Sequence, residues 1–169
     1  MSRPTLLASG LVTVAAATTV LALAGLGAAP ALATPPVGSV VPSPAPPPEA
    51  TSEERVDARA DGVRLKLPEG AVVRDFRLTY APGASSGWHA HPGVVLATVV
   101  SGTVHRRVSC GAADTFTAGQ VFVEVGPHLV QNTGSDDAVL SITQIAPGGT
   151  TGAAFREDLA EPVCRGHHR

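Results

Sequence analysis

The sequence lacks most of what marks a nucleotide- or nucleic-acid-handling protein. Its 12 basic residues are outnumbered by 14 acidic ones, for a net charge of −2. No basic patch interrupts that balance, which argues against nucleic-acid binding. There is no Walker loop, and no glycine pattern in a strand-to-helix context that would cradle a dinucleotide. Aromatic residues are only 4% of the chain, and Phe76, Phe116 and Phe122 read most simply as core. No nucleophile stands beside a base. Ser85 and Ser86 precede His89 but sit in a turn without an acid partner, so no residue is assigned a catalytic role.

Charge is also missing from one long stretch. After Arg3, residues Leu6 to Ala29 are uncharged and rich in Ala, Leu, Val and Thr, and Ala31-Leu32-Ala33 follows with small residues where a signal peptidase reads. Residues 1–33 are therefore expected to be a secretory signal peptide cleaved after Ala33. The run is also long enough to span a bilayer, so a retained anchor is the alternative. The Ala-x-Ala site and the absence of a following basic cluster favour cleavage, and no cysteine near the site offers a lipid anchor.

Proline, by contrast, is concentrated. Seven of the 15 prolines fall between Pro35 and Pro48. Such a stretch lacks backbone donors and prefers extended polyproline II. Residues 34–58 are expected to be a Pro-rich flexible linker, and residues 59–169 the single folded domain. A chain of about 110 residues buries roughly two-thirds of its surface on folding, enough for a core.

That domain reads as all-β. Runs rich in Val, Thr, Phe and Leu alternate with Gly, Pro, Asn and Asp signals. Strands are expected at Val63–Leu67, Val72–Tyr80, Val94–Val100, Thr103–Ser109, Asp114–Phe116, Gln120–Val125, His128–Asn132 and Ala138–Ala146. Close spacing without a helical pattern points to a sandwich or barrel. Ser101-Gly102, between two valine-rich runs, is a hairpin candidate. Cysteine is scarce: Cys110 and Cys164 are the two in the chain. In an exported protein they most often form one disulfide, and closing a loop of about 54 residues is worth roughly 4 kcal/mol in the chain-entropy model. Two free thiols are the alternative; a redox pair is disfavoured because the spacing is not Cys-x-x-Cys.

Histidine is where chemistry is expected. The stretch Gly87-Trp88-His89-Ala90-His91-Pro92-Gly93 reads as strand, where residues two apart share a face. Paired imidazoles on one face can grip a transition metal. His128 opens a second strand-like stretch, His128 to Asn132. The other three of the six histidines read as dispensable: His105 beside Arg106 and Arg107 on an exposed strand face, and His167-His168 in a solvated tail. An arginine of that cluster at a barrel mouth could still bind a carboxylate. Trp88 points away from His89 on a regular strand and reads as packing.

The order of these residues resembles the cupin superfamily, small type-2 conserved-barrel domains of jelly-roll form. That family's first motif is a glycine, five residues, His-x-His, three or four residues, a glutamate, six residues, and a glycine. Gly83, His89, His91 and Gly102 fall on those positions. Gly119, the Gly126-Pro127 turn, His128 and Asn132 echo a shortened second motif. The resemblance covers about Gly70 to Gly149 and implies a double-stranded β-helix barrel with a metal held by His89, His91 and His128. One position departs: Val95 stands where the family carries its metal-binding glutamate, and valine cannot ligate. The site then has three histidines, or it recruits another acid, of which Glu124 is nearest in sequence.

Three neutral imidazoles suit one divalent transition metal among Fe, Mn, Ni, Cu and Zn, with open positions for water, substrate or dioxygen. Some cupins with three histidines are dioxygenases. The resemblance therefore implies a secreted oxygenase-, isomerase- or lyase-like enzyme acting on a small anionic or phenolic molecule. A non-catalytic extracytoplasmic barrel, small-ligand-binding or structural, is the other class. Polar groups beside the histidines would favour the first, and an almost wholly apolar interior the second. Family members often pair through their sheets, so a homodimer is implied by resemblance alone. No membrane partner is expected once the signal is cleaved.

Overall fold

The computed structural model describes residues 36–38, 40–42 and 48–164. The signal-peptide segment and His167-His168 lie outside the described residues. Within these residues the chain forms β1 (Val40–Pro42), β2 (Glu49–Thr51), β3 (Val56–Ala60), β4 (Val63–Leu67), β5 (Val72–Tyr80), β6 (His89–Ala90), β7 (Val94–Ser101), β8 (Thr103–Val108), β9 (Asp114–Thr117), β10 (Val121–Glu124), β11 (His128–Gln131), β12 (Ala138–Ala146), a 3-10 turn at Gly152–Phe155, and β13 (Glu157–Asp158). No helix among the described residues is long and apolar enough to cross a membrane.

Two antiparallel sheets make the barrel. The larger runs β1-β5-β12-β7-β10, with β2 also on β5; the smaller runs β13-β6-β11-β8-β9. β3 and β4 form a separate hairpin. All eight expected strands are present, with ends within a residue or so. Their alternation is what buries one face: in β12, Ala138, Leu140, Ile142, Gln144 and Ala146 are buried while the residues between them are half-exposed. Val95, Ala97 and Val99 of β7 and Phe122 of β10 continue the inward layer, and Val104 and Val130 meet it from the smaller sheet. Phe116 and Phe122 stack at 4.5 Å.

Two expectations are corrected. The stretch expected to be a flexible linker contains strands: β1 pairs with Leu78–Tyr80, β2 with Val72–Arg74, and β3 begins at Val56. The free edge of β5 supplies hydrogen-bonding partners whatever the side chains, and prolines are tolerated at such edges. Nor is Ser101-Gly102 a hairpin, because β7 pairs with β12 and β10 while β8 pairs with β11 and β9. It is a corner where the chain passes from one sheet to the other. Gly102 has φ +77°, and a Cβ there would lie 2.7 Å from Ala138 Cα, so only glycine fits the crossing.

The disulfide forms between Cys110 and Cys164, with Cα atoms 5.4 Å apart. It ties the end of the chain to the turn after β8.

Candidate metal centre

The three histidines expected to act together do meet. β6 and β11 pair antiparallel with His89 directly opposite His128, and His91 follows just past the end of β6. Their ring centroids are 4.2 Å (His89–His128), 4.7 Å (His89–His91) and 5.4 Å (His91–His128) apart. His105 is not among them; it sits on β8 opposite Gln131.

Glu124 joins them. Its Oε2 is 3.3 Å from His128 Nε2 and 3.6 Å from His91 Nε2. One ligand atom from each of His89, His91, Glu124 and His128 lies within 4.8 Å of all the others. The placement of Glu124 follows from register. In the β7–β10 ladder Glu124 is the direct partner of Val95, so the carboxylate missing from Val95 is supplied by the adjacent strand, on the same inward face. Phe122, two residues earlier, is buried on that face, and this parity was available in the sequence.

Each imidazole is oriented by a backbone carbonyl. His89 Nδ1 lies 3.0 Å from Gly87 O, His91 Nδ1 2.9 Å from Phe155 O, and His128 Nδ1 2.8 Å from Gly126 O. A carbonyl only accepts, so each Nδ1 carries a proton, and the neutral form of each ring then presents its Nε2 lone pair inward. Gln144 Nε2, 3.4 Å from His91 Nδ1, is then a neighbouring donor and not a hydrogen-bond partner; it donates to Phe155 O at 2.8 Å. Burial holds the His89 imidazolium far from favourable, pulling its pKa down to about 2, with the His128 and Arg156 charges adding to the effect. Burial likewise lowers His91, partly offset by Phe155 O and Glu124. Three imidazole Nε2 atoms and a carboxylate thus converge, and His128 Nε2 is buried with no hydrogen-bond partner. Such an arrangement favours a cation.

The group opens onto a cavity of about 350 Å³. Across the larger sheet, Arg74, Gln144, Val95 and Glu124 form one transverse row of cross-strand neighbours. Arg74 Nη2 donates to Gln144 Oε1 at 2.8 Å, and its guanidinium lies 3.6 Å from the Phe155 ring centroid. Arg156 also lines the cavity, donating through Nη2 to Ser86 O at 2.6 Å and through Nε to Asp158 Oδ1 at 2.7 Å. Tyr80 lines it as well, its hydroxyl held protonated far above the ordinary range, chiefly by burial.

Arg74, Gln144, Tyr80 and Arg156 were not singled out in the sequence. Arg74 and Gln144 carried a signal, since both fall on the inward parity of their strands. Arg156 carried none, because it reaches the barrel only through the returning C-terminal segment. The basic residues that were singled out lie elsewhere: Arg106 pairs with Asp114 and donates to Val123 O, and Arg107 lies over Trp88. Trp88 is buried packing, as its parity suggested. Ser86 Oγ donates to Gly87 O and accepts from Val130 N–H, a structural role. Asn132 is also structural: its side chain donates to Tyr80 O and Asp136 O and accepts from Gly134 N–H.

No family model and no curated protein matches the sequence. Solved structures with some likeness include an oxalate oxidase (22% identity, TM-score 0.39, 44% of this chain and 45% of that one). Others are a cupin 2 conserved-barrel protein from Salinispora arenicola (26%, TM-score 0.40, 44% and 63%) and a cupin-like protein from Thermotoga maritima (22%, TM-score 0.43, 53% and 65%). The chain thus spans under half the length of the first and under two-thirds of the other two. At this similarity none lends the chain a function. Its own topology carries the assignment: two facing antiparallel sheets, with the His-x-His segment and the His128–Asn132 segment meeting on the smaller one, give this chain a cupin fold.

Proposed function

We propose that this chain is an extracytoplasmic cupin that holds one divalent transition metal on His89, His91, His128 and Glu124 and acts as a metal-dependent enzyme on a small anionic or phenolic molecule. One observation carries the metal assignment: three backbone carbonyls fix Nδ1–H on the three rings, so that three Nε2 lone pairs and a buried carboxylate face one point. When bound, the metal supplies Lewis acidity or redox chemistry. The residues around it have separate tasks. Gly87, Gly126 and Phe155 carbonyls hold the rings in the ligating tautomer, and such outer partners stiffen a site. Glu124 offsets part of the ion's charge. Arg74 and Arg156 keep the cavity receptive to anions, and Phe76, Leu78, Leu140 and Ile142 give it an apolar wall. The Cys110–Cys164 disulfide supports an oxidising compartment.

The polar groups beside the histidines favour this enzyme reading. The apolar remainder of the cavity favours the second one, a non-catalytic barrel that captures a small ligand.

The test is metal content by elemental mass spectrometry on the secreted protein, with His167 and His168 changed to alanine so that tail binding does not contribute. About one metal per chain, lost in His89→Ala/His91→Ala with folding retained, is expected. An apo protein that takes up none of Fe(II), Mn(II), Ni(II), Cu(II) or Zn(II) would falsify the reading and leave the ligand-binding barrel.

A further inference from the structure

The cavity changes character along its length. Its polar end is the row of Arg74, Gln144 and Glu124 beside the histidines, joined by Arg156. The next inward rows of the larger sheet are Phe76 with Ile142, then Leu78 with Leu140, and all four side chains line the cavity. Consecutive inward rows on a strand are about 6.7 Å apart, so this apolar floor covers the two rows, roughly 13 Å, beyond the polar one. Tyr80 of the following row also lines the cavity and turns its hydroxyl to Ser86. A ligand that fills this space has one polar end and an apolar body.

Charge decides what the polar end is. With the proposed divalent ion bound, that ion and two guanidiniums would stand against Glu124, Asp158 and the exposed Glu49, which faces Arg74 across the β2–β5 ladder. One positive charge is left over, so a monoanion balances the site and a dianion overshoots it. Arg156 is the side chain best placed to receive it. Asp158 and Ser86 O hold its Nε and Nη2, which fixes the plane of the guanidinium while Nη1 is engaged by neither. A fixed guanidinium is a carboxylate receptor of high directionality.

We propose that the cavity takes a monocarboxylate with an apolar body of hexanoate's length or more, its carboxylate on Arg156 beside the histidine cluster and its body over Phe76, Leu78, Leu140 and Ile142. The proposal rests on the metal reading for its charge balance.

Isothermal titration calorimetry with acetate, butanoate, hexanoate, hexan-1-ol and oxalate, on zinc-treated and metal-free protein, tests it. Burying each added methylene strengthens binding. Hexanoate is therefore expected to bind at least tenfold more tightly than acetate and at least tenfold more tightly than hexan-1-ol, with oxalate weaker than hexanoate. Arg156→Gln should weaken hexanoate at least tenfold, and Arg156→Lys less, with zinc uptake unchanged in both. If Arg156→Gln fails to fold, Leu78→Gln on the floor should still weaken hexanoate and spare acetate. No chain-length dependence, or hexan-1-ol binding as well as hexanoate, in the zinc-loaded protein overturns the proposal. Zinc uptake is read separately by elemental analysis. Its absence overturns the metal reading and, because the charge balance needs the ion, this proposal with it, whereas zinc uptake without the expected ligand series overturns this one alone.

Discussion

At the scale of single residues, the informative pair is Val95 and Glu124. They are direct cross-strand partners on a face where Val95 is 1% and Glu124 5% exposed. Cβ atoms of such partners lie about 5 Å apart, close enough for a glutamate on either strand to reach the same point. Glu124→Val should lower affinity for zinc at least tenfold, measured by competition with a chelating dye. The double variant Val95→Glu/Glu124→Val should recover most of it. Recovery shows that a carboxylate at this point matters and its strand of origin does not. If the single change leaves affinity intact, Glu124 is no ligand. If only the double variant fails, the two strands are not equivalent approaches to the ion.

At the scale of elements, the barrel depends on corners. Gly102 and Gly119 both have positive φ, +77° and +85°, but differ in surroundings. A Cβ at Gly102 would meet Ala138 Cα at 2.7 Å and Asp137 O at 2.9 Å, while one at Gly119 would meet nothing within 4 Å. Both changes to alanine pay the conformational cost of left-handed backbone, about 1–2 kcal/mol. Gly102→Ala adds a backbone clash at the sheet-to-sheet crossing, so its loss of stability in urea denaturation should exceed that of Gly119→Ala by about 1 kcal/mol or more. Equal losses would mean the corner relaxes freely and the crossing is not tightly packed.

At the scale of the whole molecule, the buried histidines couple folding to pH and to metal. His89 has a pKa near 2 in the folded protein and about 6.5 in the unfolded chain. Between those values the unfolded chain binds a proton that the fold does not, so stability rises with pH across the window and falls as pH drops below 6.5. The metal-free protein should lose about 2 kcal/mol between pH 7 and pH 5 from His89 alone, with His91 adding in the same direction because its pKa is also lowered. Denaturant midpoints at several pH values measure this, and His89→Gln should flatten the slope. A wild-type profile already flat over that range would mean the ring is not held neutral. A metal that binds the fold and not the unfolded chain stabilises by about 2.7 kcal/mol at a hundred times its Kd, and that gain should shrink with acid as protons compete for Nε2.

Sequence alone was enough for the eight main strands, because period-2 alternation in segments such as Ala138–Ala146 reflects burial on one face and needs no knowledge of partners. It was enough to expect His89, His91 and His128 to come together, because two share a strand face and the third opens another strand. It named Glu124 only as a neighbour in sequence. What tertiary structure decided is everything that depends on pairing across the chain. Register set Glu124 opposite Val95. The free edge of β5 recruited Val40–Pro42 and Glu49–Thr51 from a stretch whose composition reads as unfolded. Ser101-Gly102 became a corner because both of its strands found other partners. Arg156 reached the cavity by a contact with Ser86, 70 residues away. Local alternation is written residue by residue, whereas register and long-range return are settled by which edges and faces remain to be covered once the first strands have paired.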